Sequence, residues 1–98
     1  MYKDIISYEL ADGVSESHLN QVAIKVYEDW MKHQKGFVSW EINKNKDGNY
    51  TDIVVWENKE SAQKSNENMA GMKHSAEWMA CYKMETVKSI NVESLFNY

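Results

Sequence analysis

The sequence of 98 residues has no arginine, no proline, one cysteine and only four glycines. Its 11 basic residues are all lysine and stand against 15 acidic ones, for a net charge of −4. An acidic chain without guanidinium groups lacks the forked donors that read phosphates and guanines, which argues against a nucleic-acid partner. The lone Cys81 permits neither an internal disulfide nor a multi-cysteine zinc site. It has no evident histidine or acid partner, so an inert thiol is expected. No apolar run approaches the ~18 residues of a membrane-crossing helix, and Met1–Ile6 lacks the apolar core of a signal peptide. The expected setting is reducing and cytoplasmic, with no membrane partner. Without proline-rich or glycine-rich stretches there is no linker to divide the chain, and a single domain over 1–98 is expected.

What is present is amphipathic patterning. Tyr2–Leu10 alternates, with Ile6, Tyr8 and Leu10 on one face and Lys3, Ser7 and Glu9 on the other, a half-buried strand broken only at Ile5. After the Asp12-Gly13 turn, Ser15 or Ser17 caps a helix over about 16–34. Leu19, Val22, Val26, Trp30 and Met31 form its apolar stripe, and Gly36 falls at the expected C-cap. Phe37–Lys44 alternates with Val38, Trp40 and Ile42 on one face. Asp47-Gly48 marks a hairpin, and Tyr50–Glu57 returns as a strand. Asn58 caps a second helix whose small and apolar face runs Ala62, Ser65, Met69, Met72, Ala76, Met79, with a break or bend at Gly71. The final stretch, Met84–Tyr98, reads as a strand of about 14 residues, longer than the ~5–6 typical of strands.

Strand, helix, strand, strand, helix, strand is the split βαβ order of ferredoxin-like α+β domains, with both helices on one face of a four-stranded antiparallel sheet. The strands carry apolar residues on both faces: Ile53 and Val55 oppose Val54 and Trp56. Two helices cover only one face, so the other wants a second cover. The overhanging last strand also lacks a partner within one chain. An isologous homodimer, packed sheet to sheet with its C-terminal strands crossing, satisfies both needs.

This order, together with Val55-Trp56-Glu57-Asn58-Lys59-Glu60-Ser61-Ala62 and the Gly36-Phe37 entry to the second strand, resembles the antibiotic biosynthesis monooxygenase-like family of dimeric α+β barrel proteins. In that family the third strand ends in an aromatic residue and a short acidic turn, and the second helix opens with a Glu-Ser/Ala-type sequence. The resemblance implies one pocket per subunit between sheet and helices. It also implies oxidation of a small phenolic or hydroquinone-like molecule by dioxygen, with neither metal nor flavin. A deprotonated phenol is itself a one-electron donor, so the protein has only to bind it, stabilise the anion and exclude water. On this reading Tyr8, Trp40, Trp56, Met69, Met72, Trp78 and Met79 supply the substrate-binding walls. His74 is the catalytic proton acceptor. A branch of the family degrades haem, using an asparagine on the first strand, a tryptophan early in the second helix and a later histidine. Here the first strand has no asparagine and Lys59–Met69 has no tryptophan. No cofactor is therefore expected, with haem the weakest alternative.

Plainer readings stand beside these. His74, Trp78 and Cys81 share one helical stripe that packing alone explains, and His18 and His33 read as solvated ends of the first helix. Thioethers suit Cu(I), but methionines at helical spacing are more often core filling, so no metal site is expected. Two functions remain: a cofactor-independent monooxygenase, or a non-catalytic homodimer of the same fold that binds a small aromatic molecule or serves structure alone.

Overall fold

The computed structural model describes residues 1–98. The strands β1 (Tyr2–Tyr8), β2 (Phe37–Lys44), β3 (Tyr50–Trp56) and β4 (Lys88–Glu93) form one antiparallel sheet in the order β2-β3-β1-β4. Helix α1 (Glu16–Asp29) follows β1. Helices α2 (Lys59–Asn68) and α3 (Ser75–Ala80) follow β3. The helices lie on one face, so the ferredoxin-like α+β architecture expected from the sequence is the one adopted.

Strand registry sets which side chains meet the helices. Tyr2, Asp4, Ile6 and Tyr8 of β1 share the covered face with Tyr50, Asp52, Val54 and Trp56 of β3, through cross-strand pairs such as Asp4 with Val54 and Ile6 with Asp52. Helix α1 lays Leu19, Val22, Ala23 and Val26 on this face. Its first turn is held by the Ser15 side chain, which accepts from the His18 N–H at 3.1 Å. The Asn58 side chain does the same for α2, accepting from the Ser61 N–H at 2.9 Å.

Several expectations are corrected. Helix α1 stops at Asp29 rather than 34, because Trp30 leaves helical geometry and the following 3-10 turn, Met31–His33, drives Met31 into the core. Gly36 consequently caps no α-helix. It turns the chain into β2 at φ +82°, where a Cβ would lie 2.2 Å from Ser61 Oγ. In β2 the register slips between Phe37 and Ser39. Phe37 therefore keeps the covered face with Trp40 and Ile42, while Val38, expected among them, bulges out and is exposed.

The second helix does break near Gly71, as a 3-10 turn over Met69–Gly71. The break resets the helical phase, so α3 buries Trp78 and leaves Ala76 exposed and Met79 partly so. The last strand is six residues, not about 14. Met84–Thr86 is a 3-10 turn held by Thr86 Oγ1, which accepts from the Glu9 N–H and donates to the Lys83 carbonyl. Beyond Glu93 the strand outruns β1, its only neighbour. The Ser94 N–H donates to the Met1 carbonyl, and residues 95–98 follow without a strand partner. The first strand likewise ends at Tyr8, and Leu10 makes only an isolated bridge to Tyr82.

The opposite sheet face carries no helix. Ile5, Ile53, Val55, Ile90 and Val92 share it, with Ile90 59% and Val92 38% exposed, and the tail residues Leu95, Phe96 and Tyr98 are fully in solvent.

Candidate functional site

Between the covered sheet face and the helices lies a cavity of about 210 Å³. Twelve of its sixteen lining residues are hydrophobic, and all four tryptophans of the protein are among them. Trp40 and Trp56 rise from β2 and β3, Trp30 arrives where α1 ends, and Trp78 descends from α3. The Trp78 ring sits between Trp40 and Trp30, with centroids 5.4 and 6.4 Å away and tilted planes. The Trp78 indole N–H donates to the Tyr82 hydroxyl. Met69, Met79 and Met84 complete the soft, polarisable wall, and Met79 and Met84 are exposed at its rim.

Two carboxylates enter this apolar space. Asp52, 1% exposed, accepts from the Tyr8 hydroxyl at 2.7 Å and from the Trp40 indole N–H at 3.1 Å. Burial pushes its pKa up to about 6, against the lowering effect of hydrogen bonds from Tyr8, Trp40 and Tyr82. Asp4, 7% exposed, accepts from the Trp56 indole N–H at 3.2 Å, and burial raises its pKa as well. With the Asn91 amide nitrogen turned inward, a second donor meets Asp4 at 2.7 Å while the Asn91 oxygen accepts from the Tyr2 hydroxyl. Burial first, and the Asp52 charge next, push the Tyr8 hydroxyl strongly upward, and Tyr82 shifts the same way for the same reasons. Both phenols therefore stay protonated donors at any ordinary pH.

Of the residues expected to form the site, Trp40, Trp56, Met69, Trp78 and Met79 line the cavity. Tyr8 stands behind the wall, reaching the site through its hydrogen bond to Asp52 and its ring contact with Tyr82. Met72 lies outside it, with its sulfur accepting from the His74 N–H. His74 is also outside. Its side chain is buried in the seam between α3 and α1, with Nε2 2.6 Å from Asp29 Oδ2 and Nδ1 3.5 Å from Glu77 Oε1. The hydrogen bond from His74 holds the Asp29 carboxyl below its usual range. Cys81 is fully buried, and burial pushes its thiol pKa up, as an inert thiol requires.

Asp4, Asp52, Trp30 and Tyr82 escaped the sequence reading. For the aspartates a signal existed: each occupies an inward position of an alternating strand, Asp4 in phase with Ile6 and Tyr8, Asp52 in phase with Val54 and Trp56. A carboxylate in phase with the core is the informative exception to burial rules. No group of three histidine, cysteine or acidic side chains is placed to hold a metal. No helix is long and apolar enough to cross a membrane.

No protein-family model matches the chain, and no curated protein matches it in sequence. Solved structures do match in fold. The cofactor-independent oxygenase SnoaB from Streptomyces nogalater is 13% identical with a TM-score of 0.76, over 98% of this chain and 94% of that one. A structure named "Putative antibiotic biosynthesis monooxygenase from Nitrosomonas europaea" is 14% identical with a TM-score of 0.70, over 98% and 100%. At3g17210 from Arabidopsis thaliana is 14% identical with a TM-score of 0.76, over 100% and 99%. The chain thus has the fold of the antibiotic biosynthesis monooxygenase-like proteins along its whole length.

Proposed function

We propose that this protein is a cofactor-independent monooxygenase that oxidises a small phenol in the tryptophan-lined cavity. One observation carries the reading: Asp52, almost wholly buried and with its pKa pushed up to about 6, faces an otherwise apolar aromatic chamber. A carboxylate poised near neutrality is a competent general base. Its hydrogen-bond donors, Tyr8, Trp40 and Tyr82, orient it. The cofactor-independent activity in SnoaB's name, on the same fold, supports the reaction class.

The chemistry needs no electron source beyond the substrate. Asp52 takes the phenolic proton, and the phenolate gives one electron to dioxygen. The phenoxyl radical and superoxide then join at a ring carbon ortho or para to the oxygen, forming a C–O bond. Asp52 returns the phenolic proton to the outer peroxide oxygen; loss of the proton on that carbon and cleavage of the O–O bond then yield a quinone carbonyl and hydroxide, which takes up the proton just lost and leaves as water. Phenol and dioxygen thereby become quinone and water, in balance. The indole walls keep bulk water from the radical pair. This assigns the proton-accepting role, expected of His74, to Asp52.

We also propose that the working unit is a homodimer. Ile53, Ile5 and Ile90 form an apolar row across the bare sheet face, with Val55 and Val92 beside it flanking Lys3, and a second copy is the simplest cover.

The test is oxygen uptake over a panel of monocyclic phenols and hydroquinones under ¹⁸O-labelled dioxygen. Saturable uptake, with one labelled oxygen in a phenol's quinone product, is expected. No member consuming oxygen above background would remove the oxygenase and leave a binding protein.

A further inference from the structure

The charge of the cavity points to the kind of phenol it takes, an inference that rests on the cavity being the ligand site proposed above. Asp4 and Asp52 turn into it from neighbouring strands, and each is met by neutral donors alone. No lysine, arginine or histidine lines the cavity. Buried carboxylates without a cation are costly. Here they create a negative potential in a low-dielectric space that nothing in the wall balances. Trp30, Trp40 and Trp78 line the same cavity with their rings tilted against one another, and indole rings attract cations electrostatically. Buried carboxylates and clustered indoles are two groups that recognise an organic cation in a dry site.

We infer that the cavity selects a cationic phenol, a single ring whose hydroxyl meets Asp52 and whose protonated amine meets Asp4. The volume of about 210 Å³ is below the range of drug-sized sites and suits one ring. Asp4 lies opposite Val54 and Asp52 opposite Ile6, so the two are diagonal neighbours on the sheet. Such neighbours lie about 7–8 Å apart, the span of a phenol with a short aminoalkyl arm. Asp4 also borders the open groove between α2 and β4, beside Asn66 and Asn91. An ammonium group there keeps part of its water, which lowers the cost of binding it. Lys59 lines that outer groove and not the cavity. A ring carrying a carboxylate meets two like charges and is rejected.

All four tryptophans border the cavity, so intrinsic fluorescence reads its occupancy. Titrations at pH 7.5 with tyramine, 4-ethylphenol and 3-(4-hydroxyphenyl)propionate compare a cation, a neutral molecule and an anion of similar size. Tyramine is expected to bind about tenfold more tightly than 4-ethylphenol, or better, with the anion weakest. Asp4→Asn is expected to abolish tyramine's advantage over 4-ethylphenol, both measured on the same variant. The inference is overturned if the anion binds as well as the amine, if none of the three binds, or if tyramine's advantage survives in a folded Asp4→Asn variant. Should that variant not fold, the wild-type order of the three ligands decides alone. Selective tyramine binding by a protein that consumes oxygen with no phenol would uphold the charge selection and remove the oxygenase. Oxidation of neutral phenols without preference for amines would do the reverse.

Discussion

Asp52 makes a quantitative prediction about stability. Its carboxyl sits at about pH 6 in the folded chain, against the ordinary value of 3.8 in the unfolded one. Between those values the folded protein holds a proton that the unfolded protein has lost, so this group's contribution to stability grows as pH falls. Above pH 6 the ionised, buried Asp52 costs about 3 kcal/mol relative to its protonated form, the free energy that separates a carboxyl titrating at about 6 from one titrating at 3.8. From pH 7.5 down to 4.5 the recovered part is about 2 kcal/mol, because the unfolded carboxyl begins to titrate near the lower limit. Asp52→Asn removes this dependence. Its amide still accepts from the Tyr8 hydroxyl, but its NH₂ faces the Trp40 N–H, a donor set against a donor. That clash lowers stability equally at every pH and leaves the slope untouched. Urea unfolding of both proteins at fixed concentration, across pH 4.5–7.5, reads the difference. Relative to the variant, wild type should gain about 2 kcal/mol on acidification. Parallel profiles would refute a buried, perturbed Asp52 and the general base built on it.

Other outcomes follow from the same contacts. Gly36→Ala places a Cβ 2.2 Å from Ser61 Oγ at φ +82°, and the urea midpoint should report a loss of about 1–3 kcal/mol. His74→Ala cuts the tie between α3 and Asp29 but touches nothing in the cavity. A Tm lowered by a few degrees is expected, with oxygen uptake kept within about threefold of wild type; abolished uptake in the folded variant would restore His74 to the mechanism. Ile90→Lys puts a charge on the bare sheet face, on edge strand β4 where Ile90 pairs with Ile5. Sedimentation should show a dimer for wild type at micromolar protein and a monomer for the variant.

The architecture was legible because period and punctuation agreed. The alternation of Tyr50–Trp56, the Ser15 and Asn58 caps and the Asp47-Gly48 hairpin each act locally, and each recurs in the folded chain. What escaped depends on neighbours. The bulge at Val38 and the end of β4 at Glu93 are set by where the partner strand runs, which alternation within one strand does not encode. The resetting of helical phase after Met69–Gly71 puts His74 in the α1 seam, while Trp78, one helical turn on, lines the cavity as expected. The site was half legible. The tryptophans and methionines announced an aromatic pocket, whereas the carboxylates that give it chemistry were hidden by the assumption that strand aspartates face water.

The central claim is that an aromatic molecule enters the space between sheet and helices and places its hydroxyl on Asp52. A crystal structure of the protein soaked with 4-ethylphenol tests it most directly. The ring is expected among Trp30, Trp40 and Trp78, with its hydroxyl within hydrogen-bond distance of Asp52. A cavity filled by rearranged tryptophan and methionine side chains, with the ligand bound elsewhere or not at all, would contradict it.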